Sequence, residues 1–321
     1  MTTSGNSNFT KKQLLLASPR GYCAGVYRAI KTLKTIIKNY GSPIYVLHEI
    51  VHNKHVVENL INTGAIFVED VSQIPNSSIV IFSAHGVAPL TYKASHSRNL
   101  TVIDATCPLV TKIHREAKRF ASENYNIILI GHKEHEEVIG TFGEAPENIQ
   151  IIDEIDAVDL IKVSDTNKVA WLSQTTLSIS KTMEIVSKLR KKFPKLQNPP
   201  SDDICYATQN RQVSIKAIAS KCDLIIVVGS KNSSNSVRLA EVALESGSKT
   251  SYLVDCADNI QLSWLKKANT IGITSGASVP ETLIISVVKY LSKYGYVPVR
   301  SVATFKEKLV FALPKQARSL I

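Results

Sequence analysis

Three cysteines open similar stretches of this sequence, and their side chains are the ones best suited to hold a redox metal centre. Each lies near the start of a helical pattern, in the segments SPRGYCAGVYRAI (Cys23), IDATCPLVTKIH (Cys107) and DDICYATQNRQVSI (Cys205). Cysteine thiolates are soft ligands that select iron–sulfur clusters or zinc. Because one chain repeats this arrangement three times, we expect three related units whose sulfurs converge on a pseudo-threefold axis.

Two polar groups follow each cysteine at similar distances, each where an apolar run ends. The first set is His52, His135 and Ser233, and the second is His85, Thr175 and Ser278. Ligands of parallel α/β sheets bind at the carboxyl ends of the strands. A single cysteine or histidine is more often buried or structural than functional. The repetition favours a shared site for these nine residues.

The number and spacing of the cysteines bear on the kind of metal. Three thiolates without a fourth equivalent suit a cuboidal iron–sulfur cluster in which one iron is not held by cysteine. A structural zinc site is normally closed by four ligands, commonly with CxxC spacing, and no such pair occurs here. An open metal position is what catalysis needs. Cys222 and Cys256 adjoin strand patterns, and we interpret both as structural.

The segment GSKNSSNS, which contains Ser233, Ser234 and Asn235, follows a strand pattern and precedes a helix. Backbone N–H groups at a helix N-terminus bind phosphate, although Ser/Asn-rich loops are usually only turns. Three histidines add further donors, and the net charge is +11. Together these features predict a phosphorylated or diphosphate substrate.

Glu137, two residues after His135, is the best candidate for a general acid. Its neighbours Glu134 and Glu136 are interpreted as solvated carboxylates at a helix N-terminus, where the helix dipole favours them. Thr175 and Thr176 end a strand pattern and are candidates to orient a substrate hydroxyl; an ordinary strand-end turn is the alternative.

Strand and helix patterns alternate along the chain, which predicts an α/β fold of three small domains with mostly parallel sheets rather than one continuous sheet. We place the units at residues 1–105, 106–203 and 204–296, followed by a C-terminal arm at 297–321. The Pro-containing segment FPKLQNPPSDD is the clearest linker. The strand-like run LVFALP is expected to pack with the arm against another domain.

Bulk composition excludes several classes of protein. Apolar residues make up 44% of the chain and aromatic residues 7%, and no apolar run reaches membrane length. We therefore expect a cytosolic protein with no membrane partner and no disulfides. The basic run KLRKKFPK falls at a predicted helix end, where cations suit the dipole. No aromatic RNA-binding motif occurs, so nucleic acid is not an expected partner.

The motifs together resemble those of the 4-hydroxy-3-methylbut-2-enyl diphosphate reductase family, in unbroken order over about residues 19 to 285. The matching segments are PRGYCAGV, HEIVHN, SAHGV, DATCPLVTK, GHKEHEEV, SQTTLS, DDICYATQNRQ, GSKNSSNS and TSGASVPE. The resemblance implies reductive dehydroxylation of that diphosphate to isopentenyl and dimethylallyl diphosphate, the last step of the methylerythritol phosphate route to isoprenoids. It implies a ferredoxin or flavodoxin as electron donor.

The resemblance also assigns roles to residues. It implies a 4Fe–4S cluster on the three cysteines, Glu137 as the proton-delivering acid and Thr175 as the hydroxyl-binding residue. The implied diphosphate pocket comprises His52, His85, His135, Ser233, Ser234, Asn235 and Ser278. Two positions depart from the family pattern: Tyr27 stands where a small polar residue is usual, and Glu136 where proline is usual. A non-redox iron–sulfur hydro-lyase and a basic nucleic-acid-binding module remain as alternatives.

Overall fold

Strands and helices alternate along the chain, which is described here by a computed structural model covering residues 12–200 and 203–319. The strands, in chain order, are β1 (Gln13–Ser18), β2 (Ile44–Leu47), β3 (Ala65–Val68), β4 (Ile79–Phe82), β5 (Thr101–Asp104), β6 (Asn126–Ile130), β7 (Ile149–Ile152), β8 (Val169–Ser173), β9 (Leu224–Val228), β10 (Thr250–Val254), β11 (Thr270–Ser275) and β12 (Val297–Ala303). The helices are α1 (Ala24–Tyr40), α2 (Lys54–Ile61), α3 (Pro89–Ser97), α4 (Pro108–Ser122), α5 (Glu136–Phe142), α6 (Ala157–Leu160), α7 (Ile179–Lys192), α8 (Tyr206–Ala219), α9 (Ser234–Glu245), α10 (Leu262–Leu265), α11 (Glu281–Ser292) and α12 (Lys315–Arg318). Single 3₁₀ turns occupy Val71–Gln73 and Ala257–Asn259.

The strands form three separate sheets. Their orders are β3-β2-β4-β5 in the first sheet, β7-β6-β8 in the second and β10-β9-β11-β1-β12 in the third. Every hydrogen-bonded pair of these strands is parallel. The α/β fold with several parallel sheets is therefore confirmed.

Each sheet is buried on both faces, as its sequence requires. The strands β8 (VAWLS) and β9 (LIIVV) have every residue buried. Two hydrophobic clusters flank each sheet, one on either face. Parallel sheets are covered by helices on both sides, which is why their strands are nearly continuous runs of Val, Ile and Leu. The rigid strands fix the positions of the loops at their carboxyl ends.

The first strand of the chain belongs to the third sheet. β1 pairs with β11 through Gln13 and Thr270, and with β12 through Gln13 and Val297. The apolar pattern QLLLA identifies a strand but does not indicate its partners. The domain boundaries drawn above remain a prediction, and residues 201–202 of the expected linker lie outside the described residues.

The C-terminal arm packs on the core of the first sheet. Leu313 and Ala317 are buried in the cluster that contains α1, and Nε of Arg28 donates to the carbonyl of Ala312 at 2.8 Å. The strand-like run LVFALP has no regular structure, and the strand of this region is β12. Its apolar residue Leu313 is buried by side chains of the first unit and not by a neighbouring strand.

In the described part of the chain, no helix combines the length and the apolar character needed to cross a membrane.

Candidate active site

One pocket is lined by loops at the carboxyl ends of strands from all three sheets. It brings together every site residue that the sequence predicts: Cys23, His52, His85, Cys107, His135, Glu137, Thr175, Cys205, Ser233, Ser234, Asn235 and Ser278. In the sequence these residues are spread over most of the chain, from Cys23 to Ser278. Their roles stay predictions, but their convergence makes a shared chemical function geometrically possible.

The backbone around the three cysteines repeats one hydrogen-bond pattern. The N–H groups of Cys23, Cys107 and Cys205 donate to the carbonyls of Ala277, Ala84 and Thr175 at 3.2, 3.0 and 3.2 Å. Ala277 precedes Ser278 and Ala84 precedes His85, while Thr175 is itself a predicted site residue. Each cysteine is thereby fixed to the loop that carries the second polar residue of a unit.

Each of the three cysteines is the N-cap residue of a long helix. Cys23 precedes α1, Cys107 precedes α4 and Cys205 precedes α8. The sulfur of Cys23 accepts a hydrogen bond from the N–H of Val26, and that of Cys205 from the N–H of Thr208. The positive end of a helix dipole stabilises a thiolate. Three helices therefore direct their positive ends toward the sulfurs.

Gly25, in the first turn of α1, leaves space beside two of the three sulfurs. A Cβ at this position would lie 3.8 Å from Sγ of Cys23. A Cβ on Gly25 would lie 2.7 Å from Sγ of Cys107, so the glycine keeps the space beside the sulfurs open.

Burial makes two of the three thiols weaker acids. Burial raises the pKa of Cys107 to about 12, and the charge of Cys23 adds to the effect. Burial and the charge of Cys23 raise the pKa of Cys205 to about 11. Buried thiolates need a compensating positive charge, and a bound metal supplies it by deprotonating its cysteine ligands.

Three imidazole rings pack against one another beside the sulfurs. The rings of His52 and His85 are stacked, with centroids 4.1 Å apart and planes 16° apart. The ring of His135 meets both edge-on, at 5.5 and 5.7 Å. Nδ1 of His135 accepts a hydrogen bond from the N–H of Glu137, so its proton is on Nε2. Burial, followed by the charges of His85 and His52, lowers the pKa of His135 to about 3.

Carboxylates hold the outer nitrogens of the two stacked rings. Nδ1 of His85 lies 2.8 Å from Oε2 of Glu136, and Nδ1 of His52 lies 3.2 Å from Oε2 of Glu49. Asn232 donates to the same Glu49 oxygen at 2.8 Å. Glu49 and Asn232 were not singled out by the sequence, because a carboxylate one turn from a histidine is common on protein surfaces.

The interpretation of Glu136 as a solvated helix-terminal carboxylate is wrong. Its side chain is only 21% exposed and pairs with His85 across the pocket rim. The ligand atoms of His52, His85 and Glu136 lie within 4.8 Å of one another. Because Nδ1 of His85 is hydrogen-bonded to the Glu136 carboxylate, we interpret this group as a hydrogen-bonded network.

Glu137 is almost completely buried, and among the described residues its carboxyl group accepts hydrogen bonds from one residue. The N–H and the hydroxyl of Thr175 donate to its two oxygens at 2.7 and 2.8 Å. Burial raises the pKa of Glu137 to about 7; the two bonds from Thr175 oppose this shift, and the charge of Asp203 adds to it. A carboxyl group with this pKa carries a proton in part of the molecules at neutral pH, as a general acid requires.

The N-terminus of α9 supplies a set of hydroxyl and amide groups. Ser233 caps the helix and Ser234 accepts from the hydroxyl of Thr176 at 3.0 Å. Asn235 is 5% exposed, and neither its Oδ1 nor its Nδ2 finds a hydrogen-bond partner among the described residues. Such orphaned polar atoms are rare in a folded protein and indicate that a ligand completes them. The hydroxyl of Ser278 donates to the carbonyl of His52.

Comparison with known proteins is consistent with this geometry. A model of the LytB protein family matches residues 14–292. The chain is 60% identical over 309 residues to 4-hydroxy-3-methylbut-2-enyl diphosphate reductase 1 of Mycobacterium bovis, a match that covers 96% of this chain and 92% of that protein.

Two solved structures are also similar. One is the E-1-hydroxy-2-methyl-but-2-enyl-4-diphosphate reductase from Plasmodium falciparum, with a TM-score of 0.93, 40% identity and coverage of 97% of this chain and 98% of that chain. The other is an (E)-4-hydroxy-3-methyl-but-2-enyl diphosphate reductase, titled the terminal enzyme of the non-mevalonate pathway. Its TM-score is 0.62 at 30% identity, over 88% of this chain and 99% of that chain.

Proposed function

The chain belongs to the LytB protein family, and on that premise we propose that its pocket removes the hydroxyl group of (E)-4-hydroxy-3-methylbut-2-enyl diphosphate by reduction. The products are isopentenyl diphosphate and dimethylallyl diphosphate. Two electrons and two protons enter, the C–O bond breaks, and the oxygen leaves as water. The observation that carries this proposal is one pocket in which three cysteines, a buried acid and an unpartnered asparagine meet.

The cofactor in this proposal is a 4Fe–4S cluster held by Cys23, Cys107 and Cys205. The space kept open by Gly25, the helix N-termini and the buried thiols support it. When bound, such a cluster supplies electrons one at a time and a Lewis-acidic iron without a cysteine ligand.

The anionic end of the substrate binds on the other side of the pocket. Nε2–H of His135 is a donor, and the Ser233 and Ser234 hydroxyls and the Asn235 amide lie at the start of α9. Hydrogen bonds to phosphate oxygens are charge-assisted and about twice as strong as neutral ones. Together with His52, His85 and Ser278 they fix the diphosphate and so orient the allylic carbon skeleton.

Glu137 delivers the proton that leaves with the hydroxyl oxygen. The two hydrogen bonds from Thr175 hold its carboxyl group in one orientation. The Thr175 hydroxyl is also the group placed to contact the substrate hydroxyl. Burial keeps water away from the acid, so that its proton goes to the substrate.

The electron donor in this proposal is a ferredoxin or a flavodoxin, and the expected location is the cytosol. Membership of the family favours the reductase over the hydro-lyase and the nucleic-acid-binding module. A hydro-lyase needs no electrons, and a nucleic-acid-binding module contains no iron and binds in a strongly salt-dependent way.

The test is anaerobic purification, iron and sulfide analysis, and turnover of the diphosphate alcohol with and without dithionite. We expect about four irons and four sulfides per chain, as in a 4Fe–4S centre, and product only when the reductant is present. Loss of water from the diphosphate alcohol without any reductant, with no isopentenyl or dimethylallyl diphosphate formed, would support the hydro-lyase. An iron-free protein that remains soluble and folded would contradict the cofactor assignment.

A further inference from the structure

A short contact joins the carboxylate of Glu136 to the ring of His85. Glu136 is the first residue of α5, and His85 follows β4 in a different sheet. Their contact is 2.8 Å, and the side chains are 21% and 15% exposed. A pair this sheltered holds its geometry better than a surface ion pair, because solvent competes less for both partners.

The charge on His85 depends on the groups beside it, which are the stacked ring of His52 and two carboxylates. Its ring lies 4.1 Å from that of His52, so two imidazolium ions there would repel each other. Glu136 and Glu49 place one carboxylate beside each ring. The stacked pair is therefore compensated by two negative charges on its outer side.

We propose that Glu136 is a positioning residue that acts through His85. Its carboxylate accepts a hydrogen bond from Nδ1–H of His85. When a diphosphate binds, the carboxylate stabilises the doubly protonated ring, so that Nε2–H of His85 donates to the anion. This proposal rests on the diphosphate pocket proposed above. It concerns one proton, which comes from solvent and is taken up together with the ligand.

The hydrogen-bond geometry supports the first part of the proposal. A carboxylate accepts only, so the Nδ1 that lies 2.8 Å from Glu136 carries a proton. A neutral ring would then present a bare Nε2, which repels phosphate oxygens. Only the protonated ring offers a donor at Nε2, since Nδ1 is already bonded to the carboxylate.

The charges around the ring support the second part. Burial, followed by the charge of His52, lowers the pKa of His85, against the opposing effect of Glu136 and Glu49. Burial alone would raise the pKa of Glu136, but the hydrogen bond and charge of His85 and the charges of His52 and His48 hold it at about 2. Without ligand at neutral pH, His85 is thus neutral and Glu136 ionised.

The titratable and charged groups around the stacked pair and its direct neighbours come from several loops. They are Glu49 and His48 after β2, His132 and His135 after β6, and Glu136 and Glu137 of α5. Glu137 is hydrogen-bonded to Thr175, and His135 has its Nδ1 occupied by a backbone N–H. Glu136 is the carboxylate bonded directly to His85.

The experiment measures proton uptake when inorganic pyrophosphate binds to the anaerobically purified protein. Calorimetric titrations in two buffers of equal pH but different ionisation enthalpy give the number of protons taken up per ligand. They are repeated between pH 6 and 8, with a chelator present to exclude a bridging cation. The variants are Glu136→Gln and Glu136→Pro, and thermal unfolding checks that each is folded.

Each variant removes the Glu136 carboxylate, and each does so with a different kind of side chain. Glutamine keeps the size and hydrogen-bonding capacity of the side chain. Proline is tolerated at the first position of a helix because that N–H has no intrahelical partner. The matched control is Glu134→Gln, which removes one charge from an exposed position two residues earlier.

We expect the unchanged protein to take up protons and to bind pyrophosphate less tightly as the pH rises above neutral. Each Glu136 variant should take up fewer protons, by as much as one per ligand, and bind about tenfold more weakly at pH 7, because a charge-assisted contact is lost. The Glu134 variant should match the unchanged protein. Pyrophosphate itself titrates in this range, but equally for every variant, so differences between variants report the protein group.

The outcomes separate this inference from the proposed function. If the unchanged protein does not bind pyrophosphate, the diphosphate pocket itself is wrong. If it binds and both Glu136 variants keep the same proton uptake, the pocket stands and the role of Glu136 is refuted. A loss of affinity without a change in proton uptake would also refute it, since a purely structural role predicts that result.

Discussion

Both oxygens of the Glu137 carboxyl group accept hydrogen bonds from one residue, Thr175, through its backbone N–H at 2.7 Å and its hydroxyl at 2.8 Å. The acid lies on α5 and the threonine follows β8, so the contact joins a helix to the strand-end loop that also anchors Cys205. The position of the Glu137 carboxyl group is in this way fixed relative to the backbone at Cys205.

The first prediction concerns Glu137 itself. Glu137→Gln should keep its iron and its affinity for pyrophosphate but lose turnover by about 10²-fold or more, the usual contribution of a general acid. Single-turnover and steady-state rates with the diphosphate alcohol measure the loss. Near-normal turnover of this variant would end the role assigned to Glu137.

The second prediction concerns the pH profile. A general acid works while protonated, so turnover should fall as the pH rises through the Glu137 pKa of about 7. The hydroxyl of Thr175 lowers that pKa. Thr175→Val should therefore raise it and move the falling limb to higher pH, by up to about one unit for one lost hydrogen bond. A limb that stays in place would show that another group titrates. Thr176→Val, which leaves the Glu137 contacts intact, is the control.

The third prediction concerns iron binding. Cys107→Ser should lose most of its iron and its visible absorption, because a hydroxyl is a poor replacement for a soft thiolate ligand. Cys256→Ala is the matched control, since Cys256 is outside the pocket lining. Equal iron content in the two variants would contradict the assignment of Cys107 as a ligand.

The fourth prediction is that replacing Gly25 by alanine affects the stability of α1 and the binding of iron in opposite directions. Alanine is favoured over glycine inside a helix by about 0.8–1 kcal/mol, so Gly25→Ala should not weaken α1. Its Cβ would lie 2.7 Å from Sγ of Cys107 and should lower the iron content. Iron analysis alongside thermal unfolding tests this. Full iron loading would show that the glycine is not required.

The fifth prediction concerns Asn235, whose buried amide has no hydrogen-bond partner in the described part of the chain. Removing such a group should cost little folding stability or even increase it. Asn235→Ala should instead weaken pyrophosphate binding by about tenfold or more, the value of a hydrogen bond to a charged group. Calorimetry of this variant against Asn167→Ala, at an exposed position, measures the effect. Unchanged affinity would remove Asn235 from the diphosphate site.

The sequence alone predicts the fold class and a set of residues that all line one pocket, because strand ends and helix caps are local features. Cys107 is recognisable at the start of a helix pattern and His85 at the end of a strand pattern without any tertiary information. The family resemblance is confirmed by the match of the LytB model over residues 14–292.

Tertiary partners are what the sequence does not show. Glu136 looks like an ordinary helix-terminal carboxylate until β4 brings His85 within 2.8 Å of it. LVFALP has the apolar content of a strand, but Leu313 is buried by the core beside α1. In both cases the environment of the residue depends on which distant segment packs against it. The hydrophobic periodicity of the sequence carries no information about that segment.

The membership of β1 in the third sheet has a consequence for synthesis of the protein. The strands that it pairs with, β11 and β12, follow it in the chain only after the strands of the other two sheets have been made. At about 5–20 residues per second, the interval is on the order of tens of seconds. For that time the nascent chain carries an apolar strand, with Cys23 just behind it, that has no partner. The hydrogen bond from the N–H of Cys23 to the carbonyl of Ala277 therefore also forms only after β11 has been made, so the position of this cysteine depends on a distant, later segment of the chain.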